Sequence, residues 1–459
     1  MAEFWVYDIV FLVAFTIFVF WFLRKEKKNI SREGIIFLYR TKLGIGAINY
    51  VGKKFRKILD KLVFPIIFLG VLLMGVMLWM LGRTLSVYII HPEITKIIKA
   101  PPIAPLIPYF PKIFGMSNFF PPFYFTYFIV SLAIVAIAHE FSHGVFMSRF
   151  KIKIKSTGLV FLGPILGAFV EEEKKNFAKK KKVEQMAVLA AGVFANATLA
   201  LVFYGLYVLF FLSMFVPSGY VFSTYSLSTI PVTAIENPKD VGNFLEIHYQ
   251  NRSYLMDKKM LDAIKDSNFK EVVVYDDAPA IRAKLESPIT RIDNFTIRSV
   301  SDLQSVLKKK KPGEEILIYT FDGAREKEHR IVLAEHPQKK GVAFLGVGNF
   351  AQKPKGIVQK FFSFFMGFKN PQTYYKPIID GNFSIFILNF IWWIMVINLL
   401  VALFNMLPLG MLDGGRFFYL LVWGVTGSEK AGEWAYKAIG YAIIVTFILM
   451  MFYWGVGVF

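Results

Sequence analysis

Six long apolar runs constrain this chain more than any other feature. About 20 apolar residues cross a hydrocarbon core as a helix, and runs of that order begin near Phe4, Leu62, Phe123, Met186, Phe383 and Ala438. The first reaches Leu23, the second Leu81, the third about Phe150 and the fourth Val216, while the last two reach about Val425 and the C-terminus. With 55% hydrophobic residues and 49 Phe, a soluble fold would expose more apolar surface than its core could bury. The sequence therefore predicts an α-helical multi-pass membrane protein of about six transmembrane helices. Arg24, Lys25, Lys27 and Lys28 follow the first run, whereas a cleaved signal peptide carries its basic residues ahead of the apolar core, so this run is expected to stay as a helix.

Charge sets the expected orientation. The segment Arg24 to Lys61 holds 12 Lys or Arg and Arg149 to Lys182 holds 10, against 4 between Arg83 and Pro121. The positive-inside rule puts the first two segments in the cytoplasm of a cell-membrane protein and both termini outside. The net charge of +20 then answers to anionic lipid, so the expected partner is the bilayer and not nucleic acid. The chain has no Cys, which excludes disulfides, thiolate metal sites and Cys nucleophiles.

Punctuation in the pattern divides the chain. Residues 1–120 read as two helices with a basic cytoplasmic loop and an outer loop, and 121–216 as the first part of a helical core. Residues 217–350 read as an inserted α+β domain outside the membrane. In it Glu271 to Asp276 and Glu314 to Phe321 have strand composition, Ser301 to Lys310 forms an amphipathic helix stopped by Pro312-Gly313, and Asp322-Gly323 turns into a strand from His329 to Ala334. Residues 351–382 connect this domain to the second core part, 383–427, and 428–459 hold the last helix. The fifth run, Phe383 to Val425, would be about 64 Å long as one straight helix, twice what a bilayer core needs. Pro408, Gly410, Gly414 and Gly415 predict a break inside it, tolerated at membrane depth where irregular backbone lines a site.

His139-Glu140-Phe141-Ser142-His143 fits H-E-x-x-H. On a helix the two histidines share a face, so both imidazoles reach one metal, and Glu140 is placed to take a proton from water beside it. Ionisable residues at this depth are too costly to be idle. A catalytic zinc takes three protein ligands, and Gly144, Val145, Phe146 and Arg149 downstream of His143 supply none of them. The apolar runs hold only three acidic residues, Asp8, Glu140 and Asp413. Asp8, near an outer membrane edge, reads as a solvated interface residue, which leaves Asp413 as the third ligand; counted from the cytoplasmic ends of their helices, His139 and Asp413 lie at about 15 and 20 Å depth. A helix cap after Pro408 is the other use open to Asp413.

His139-Glu140-x-x-His143 in an early helix, with Asn405-x-x-Pro408-x-x-x-Leu412-Asp413-Gly414 in a late one, resembles the site-2 protease family of intramembrane metalloproteases, from about Phe123 to Phe418. The resemblance implies one Zn²⁺ per chain on His139, His143 and Asp413, Glu140 as general base, and Asn405 as the polar group that holds the substrate carbonyl or its oxyanion. Ala191-Gly192-Val193-Phe194-Ala195-Asn196 looks like the family's Gly-Pro-x-x-Asn segment, with Val193 in place of Pro, and implies a substrate role for Asn196. Gly158 to Val170, with Gly163 and Gly167, is similar to the family's re-entrant β-hairpin, whose edge strand binds substrate. The domain at 217–350 resembles a PDZ domain, departing from the pattern at Leu285 to Pro288. The implied partners are transmembrane protein substrates, pre-trimmed or intact, with the oligomeric state left open. Two other readings stand beside this one: a membrane metal transporter using the same residues as a transit site, and a catalytically inactive relative that binds membrane proteins.

Overall fold

The computed structural model describes residues 4–94, 100–236, 238–265, 269–349, 356–379, 381–410 and 412–458. They divide into two compact units, Met1–Phe210 with Ile385–Phe459, and Phe211–Ser384.

The first unit is built on helices α1 (Phe4–Lys25), α2 (Ile45–Lys54), α3 (Arg56–Ile90), α4 (Phe125–Arg149), α5 (Lys182–Met214), α6 (Gly381–Asn405), α7 (Asp413–Thr426) and α8 (Glu429–Val458). Of these, α1, α3, α4, α5, α6 and α8 are long and apolar enough to cross a membrane. Several outrun the apolar segments that announce them. α3 has 35 residues, about 52 Å, and α8 starts at Glu429 rather than near Ala438. Hydropathy sees only the hydrocarbon layer, whereas backbone hydrogen bonding continues the helix through polar turns such as the one bearing Glu429 and Lys430.

Leu59, Ile66, Phe146, Ala187, Val193, Met406 and Phe417 form a buried cluster that packs α3, α4, α5, the end of α6 and α7 together. A second cluster, with Phe123, Tyr127, Val135, Trp393 and Ile397, joins α4 to α6. Side chains turned the other way, among them Val13, Ile17, Phe64, Phe68 and Ile448, stay exposed, as expected of surfaces facing lipid.

Asp8 is not a solvated edge residue. It is 1% exposed, and its carboxylate accepts from the backbone N–H groups of Phe125 (2.8 Å) and Thr126 (2.8 Å), from Thr126 Oγ1 (2.7 Å) and from the Tyr109 hydroxyl (2.5 Å). The free N–H groups at a helix N-terminus need acceptors, and an anion there also meets the positive end of the helix dipole. α1 thus supplies the cap for α4.

A four-stranded antiparallel sheet completes this unit, in the order β1 (Ile30–Glu33), β2 (Ile36–Thr41), β3 (Ile154–Leu162), β4 (Ile165–Glu172). The β3–β4 hairpin turns at Gly163-Pro164, where Gly163 has φ 57°. β1 and β2 lie in the stretch read as a basic loop. Their turn is at Gly34, φ 62°, and β2 docks on β3 with Tyr39 opposite Leu159. Gly158 permits the approach, since a Cβ there would lie 2.1 Å from the Tyr39 carbonyl oxygen. Among the described residues, one edge of β4 has no strand paired to it.

The second unit contains β5 (Phe215–Tyr220), β6 (Thr224–Tyr225), β7 (Leu227–Pro231), β8 (Lys239–Val241), β9 (Phe244–Tyr249), β10 (Arg252–Asp257), β11 (Glu271–Asp276), β12 (Ile289–Ile292), β13 (Phe295–Thr296), β14 (Glu315–Phe321), β15 (Glu326–Val332), β16 (Ala334–His336), β17 (Lys339–Phe344), β18 (Val347–Gly348) and β19 (Thr373–Pro377). It holds two main sheets, ordered β7-β11-β10-β9-β8 and β15-β14-β12-β5-β19, each with its own core. The strand expected at 271–276 therefore belongs with β7 to β10 and not with the hairpin at 315–332. The helix expected from Ser301 runs Val300–Leu307, with Ser299 accepting from Asp302 N–H. Within the stretch 351–382, β19 pairs with β5, so a strand that leaves the unit lies beside the one that enters it, at the edge of the six-stranded part. Residues 351–355 and 380 of that stretch lie outside the described residues.

Candidate active site

The helical periodicity of α4 puts His139 and His143 one turn apart on its buried face, each 6% exposed. Their Nε2 atoms are 3.0 Å apart. Asp413 Oδ2 lies 3.1 Å from His139 Nε2 and 3.3 Å from His143 Nε2. The break in the fifth run brings this carboxylate in. α6 stops at Asn405, and α7 starts at Asp413 itself. Leu412 occupies the cap position of α7, and no side chain caps it, so Asp413 is free of the capping use and turned to the imidazoles. Gly414 and Gly415 make the tight entry possible, since a Cβ on either would lie within 2.4 Å of the backbone of Met406 or Leu409.

Hydrogen bonds behind the imidazoles fix which nitrogen faces the carboxylate. His143 Nδ1–H donates to the Val188 carbonyl at 2.6 Å, which leaves a lone pair on Nε2. The Asn196 amide is fully buried and lies 3.0 Å from His139 Nδ1. The two ends of a side-chain amide exchange by rotation, and with its oxygen toward Nδ1–H, Asn196 sets the same tautomer on His139. Asn196 thus stands behind a metal-ligand candidate rather than out on a substrate surface.

Two imidazole lone pairs and a carboxylate oxygen converge here at 3.0 to 3.3 Å. Such a set repels itself unless a cation sits among the three atoms. Ligands about 2.0–2.1 Å from a tetrahedral zinc are about 3.3 Å apart, which matches the triangle, so the donor set fits Zn²⁺ in atom type, count and spacing.

Glu140 is next to the triangle: ligand atoms of His139, Glu140 and His143 all lie within 4.8 Å of one another. Its Oε2 accepts from the backbone N–H of Val170 at 2.9 Å, a donor on the unpaired edge of β4, and its second oxygen stays available. Asn405 Nδ2 is 3.5 Å from His139 Nε2, at the end of α6 and on the site. Gly163 is at the hairpin tip with nothing near it, and Gly167 pairs with Val160 in the strand. The hairpin reaches Glu140 through Val170 rather than through either glycine.

Sequence reasoning missed Gly192. A Cβ at this position of α5 would lie 2.5 Å from His143 Nε2 and 2.6 Å from the His139 ring, so α5 presses its bare backbone against both imidazoles. The signal was available: Ala190, Ala191, Gly192 and Ala195 form a stripe of small residues of the kind that lets membrane helices approach closely.

With this geometry in hand, comparison with known proteins is specific. The family model described as peptidase family M50 matches residues 127–451, which span the histidines, Glu140 and Asp413. The chain is also 30% identical over 193 residues to the uncharacterized protein MJ0971 of Methanocaldococcus jannaschii, across 41% of this chain and 47% of that protein. It thus matches about half the length of that relative. The chain belongs to peptidase family M50, the site-2 protease family of metallopeptidases.

Proposed function

We propose that the protein is an intramembrane zinc endopeptidase that cleaves transmembrane protein substrates within or near their membrane segments. One observation carries this reading: the triangle of His139 Nε2, His143 Nε2 and Asp413 Oδ2 has a carboxylate, Glu140, beside it. His139, His143 and Asp413 would hold the ion, whose contribution is Lewis acidity, acidifying water and polarising a carbonyl. Glu140, oriented by Val170 N–H, takes the proton from the attacking water. As the new C–O bond forms and the peptide C–N bond breaks, it returns that proton to the leaving amine. Asn405, with its amide beside the metal-ligand candidates, is the donor for the carbonyl oxygen as charge builds on it. A substrate helix must unwind before its carbonyls are accessible, and the open edge of β4 offers the freed backbone a strand to pair with.

The orientation follows loop charge: termini and the β-rich unit outside, the β1–β2 and β3–β4 hairpins toward the cytoplasm. In the outer unit, the helix Val300–Leu307 packed over β12, β14 and β15 supports a PDZ-like reading. A metal transporter needs labile ligands. Here the imidazoles are held by Val188, Asn196 and the Gly192 backbone, which favours a resident ion.

The test is a contrast between two variants of the purified protein, assayed on a transmembrane model substrate with zinc measured by elemental analysis. Glu140→Gln should lose at least about a hundredfold in turnover and keep one zinc per chain. Asp413→Ala should lose both. Wild-type turnover in Glu140→Gln would end the proteolytic reading, and full zinc in Asp413→Ala would put the third ligand elsewhere.

A further inference from the structure

The second unit has a cavity of about 750 Å³ on the face of the six-stranded sheet away from its core. Strand alternation makes it: Ile316 and Ile318 of β14 point into the core, while Phe321 lines the other side. Arg291 of β12, Arg298 and Lys376 of β19 bring three cations to its walls, against one carboxylate, Glu326. Glu326 is already engaged, accepting from Thr290 Oγ1 at 2.9 Å and lying 3.7 Å from Arg291. The Arg291 guanidinium is held in place, stacked 3.6 Å over the Tyr319 ring with one nitrogen donating to the Asp293 carbonyl at 3.5 Å. Arg298 and Lys376 are exposed and have no ion-pair partner among the described residues. The rings of Phe321 and Tyr374, 5.5 Å apart and tilted by 37°, form an apolar wall.

The cavity also sits where the unit is rooted. Ser218 on its wall is four residues beyond Met214, the end of α5, and Lys376 is five before Gly381, where α6 begins. The two strands are tied at this level by Ile378 N–H donating to the Met214 carbonyl at 2.9 Å. At about 3.3 Å per residue, both cavity residues lie within roughly 17 Å of the helix ends along the chain. The chain between carries exposed apolar side chains, Val216 at 43%, Ile378 at 60% and Ile379 at 58%. Nearby in sequence, the helix Ile357–Met366 exposes Phe364 and Met366. Apolar groups at the root with unpaired cations above them are the arrangement of a surface that rests in a lipid interface.

We infer that this cavity binds the phosphate of an anionic lipid headgroup, with Arg298 and Lys376 as the cations that hold it and Arg291 as a fixed donor. The apolar border matches acyl chains, which an acidic peptide does not supply.

The full-length protein in neutral detergent would be titrated with phosphatidylglycerol and with phosphatidylcholine, and bound lipid read by native mass spectrometry. The wild type should retain phosphatidylglycerol selectively. Each cation near the surface contributes about fivefold, so Arg298→Gln/Lys376→Gln should weaken that retention about 25-fold and leave phosphatidylcholine, zinc content and melting temperature unchanged. The control pair Lys339→Gln/Lys340→Gln, exposed on the same unit, should behave as wild type. Unchanged retention in the first pair, or an equal loss in the control pair, would overturn the inference. So would displacement of the lipid by equimolar inorganic phosphate or by a hexaglutamate peptide, which would assign the cavity to free phosphate or to an acidic chain.

Discussion

Gly192 shows how a residue without functional groups can shape a candidate metal site. Its missing side chain is the space the two imidazoles occupy, and close packing makes that space hard to recover by relaxation. Gly192→Ala should therefore displace His139 or His143 while leaving α5 helical, since Ala is the better helix former. The expected result is a loss of zinc affinity of about 10- to 100-fold, read by competition with a chromophoric chelator, with helix content by circular dichroism unchanged. Wild-type affinity would mean that α5 can move away from the histidines. Asn196 and the Val188 carbonyl act on the same imidazoles from behind, so a residue-level account of this site includes α5 as well as the two motifs.

At the scale of elements, the helix carrying His139 and Glu140 is held at both ends of its working length by chain segments distant in sequence. At the N-terminus, the Asp8 carboxylate of α1 takes four donors, two of them α4 backbone N–H groups. Near the site, β4 holds Glu140 through Val170. Asp8→Ala would strand buried donors at about 1–3 kcal/mol, so it should lower the melting temperature of the detergent-solubilised protein by several degrees. Zinc bound per folded chain should be unchanged, because the cap is more than three turns from His139. A melting temperature equal to wild type would show that water or Tyr109 replaces the carboxylate at no cost. The β1–β2 hairpin extends the sheet on the side away from α4's site, which leaves β4 as the edge beside Glu140 and gives residues before 121 a structural part in the core.

At the scale of the whole molecule, orientation rests on charge and is open to a direct measurement. The chain has no Cys, so single thiols report without background. In intact cells an impermeant thiol reagent should label Ser305→Cys and spare Lys175→Cys until the cells are lysed. The opposite pattern would invert the topology. The parts of the molecule that were legible in the sequence are those written in local periodicity. Apolar runs of bilayer length announce spanning helices, H-E-x-x-H places two imidazoles on one helical face, and Pro408 with its glycines marks the break after which Asp413 stands. Asp413 could be singled out because an acidic residue in an apolar run is costly and rare. Three-dimensional contacts decided the rest, and no local pattern encodes them. Asp8 looked like an edge residue, yet it is buried because α4 offers it donors 117 residues away. The basic stretch after α1 looked like a loop, yet it forms strands because β3 offers an edge. Residues 373–377 looked like a linker until β5 paired with them. Each depends on a partner that sequence distance hides and that only folding brings within hydrogen-bond range.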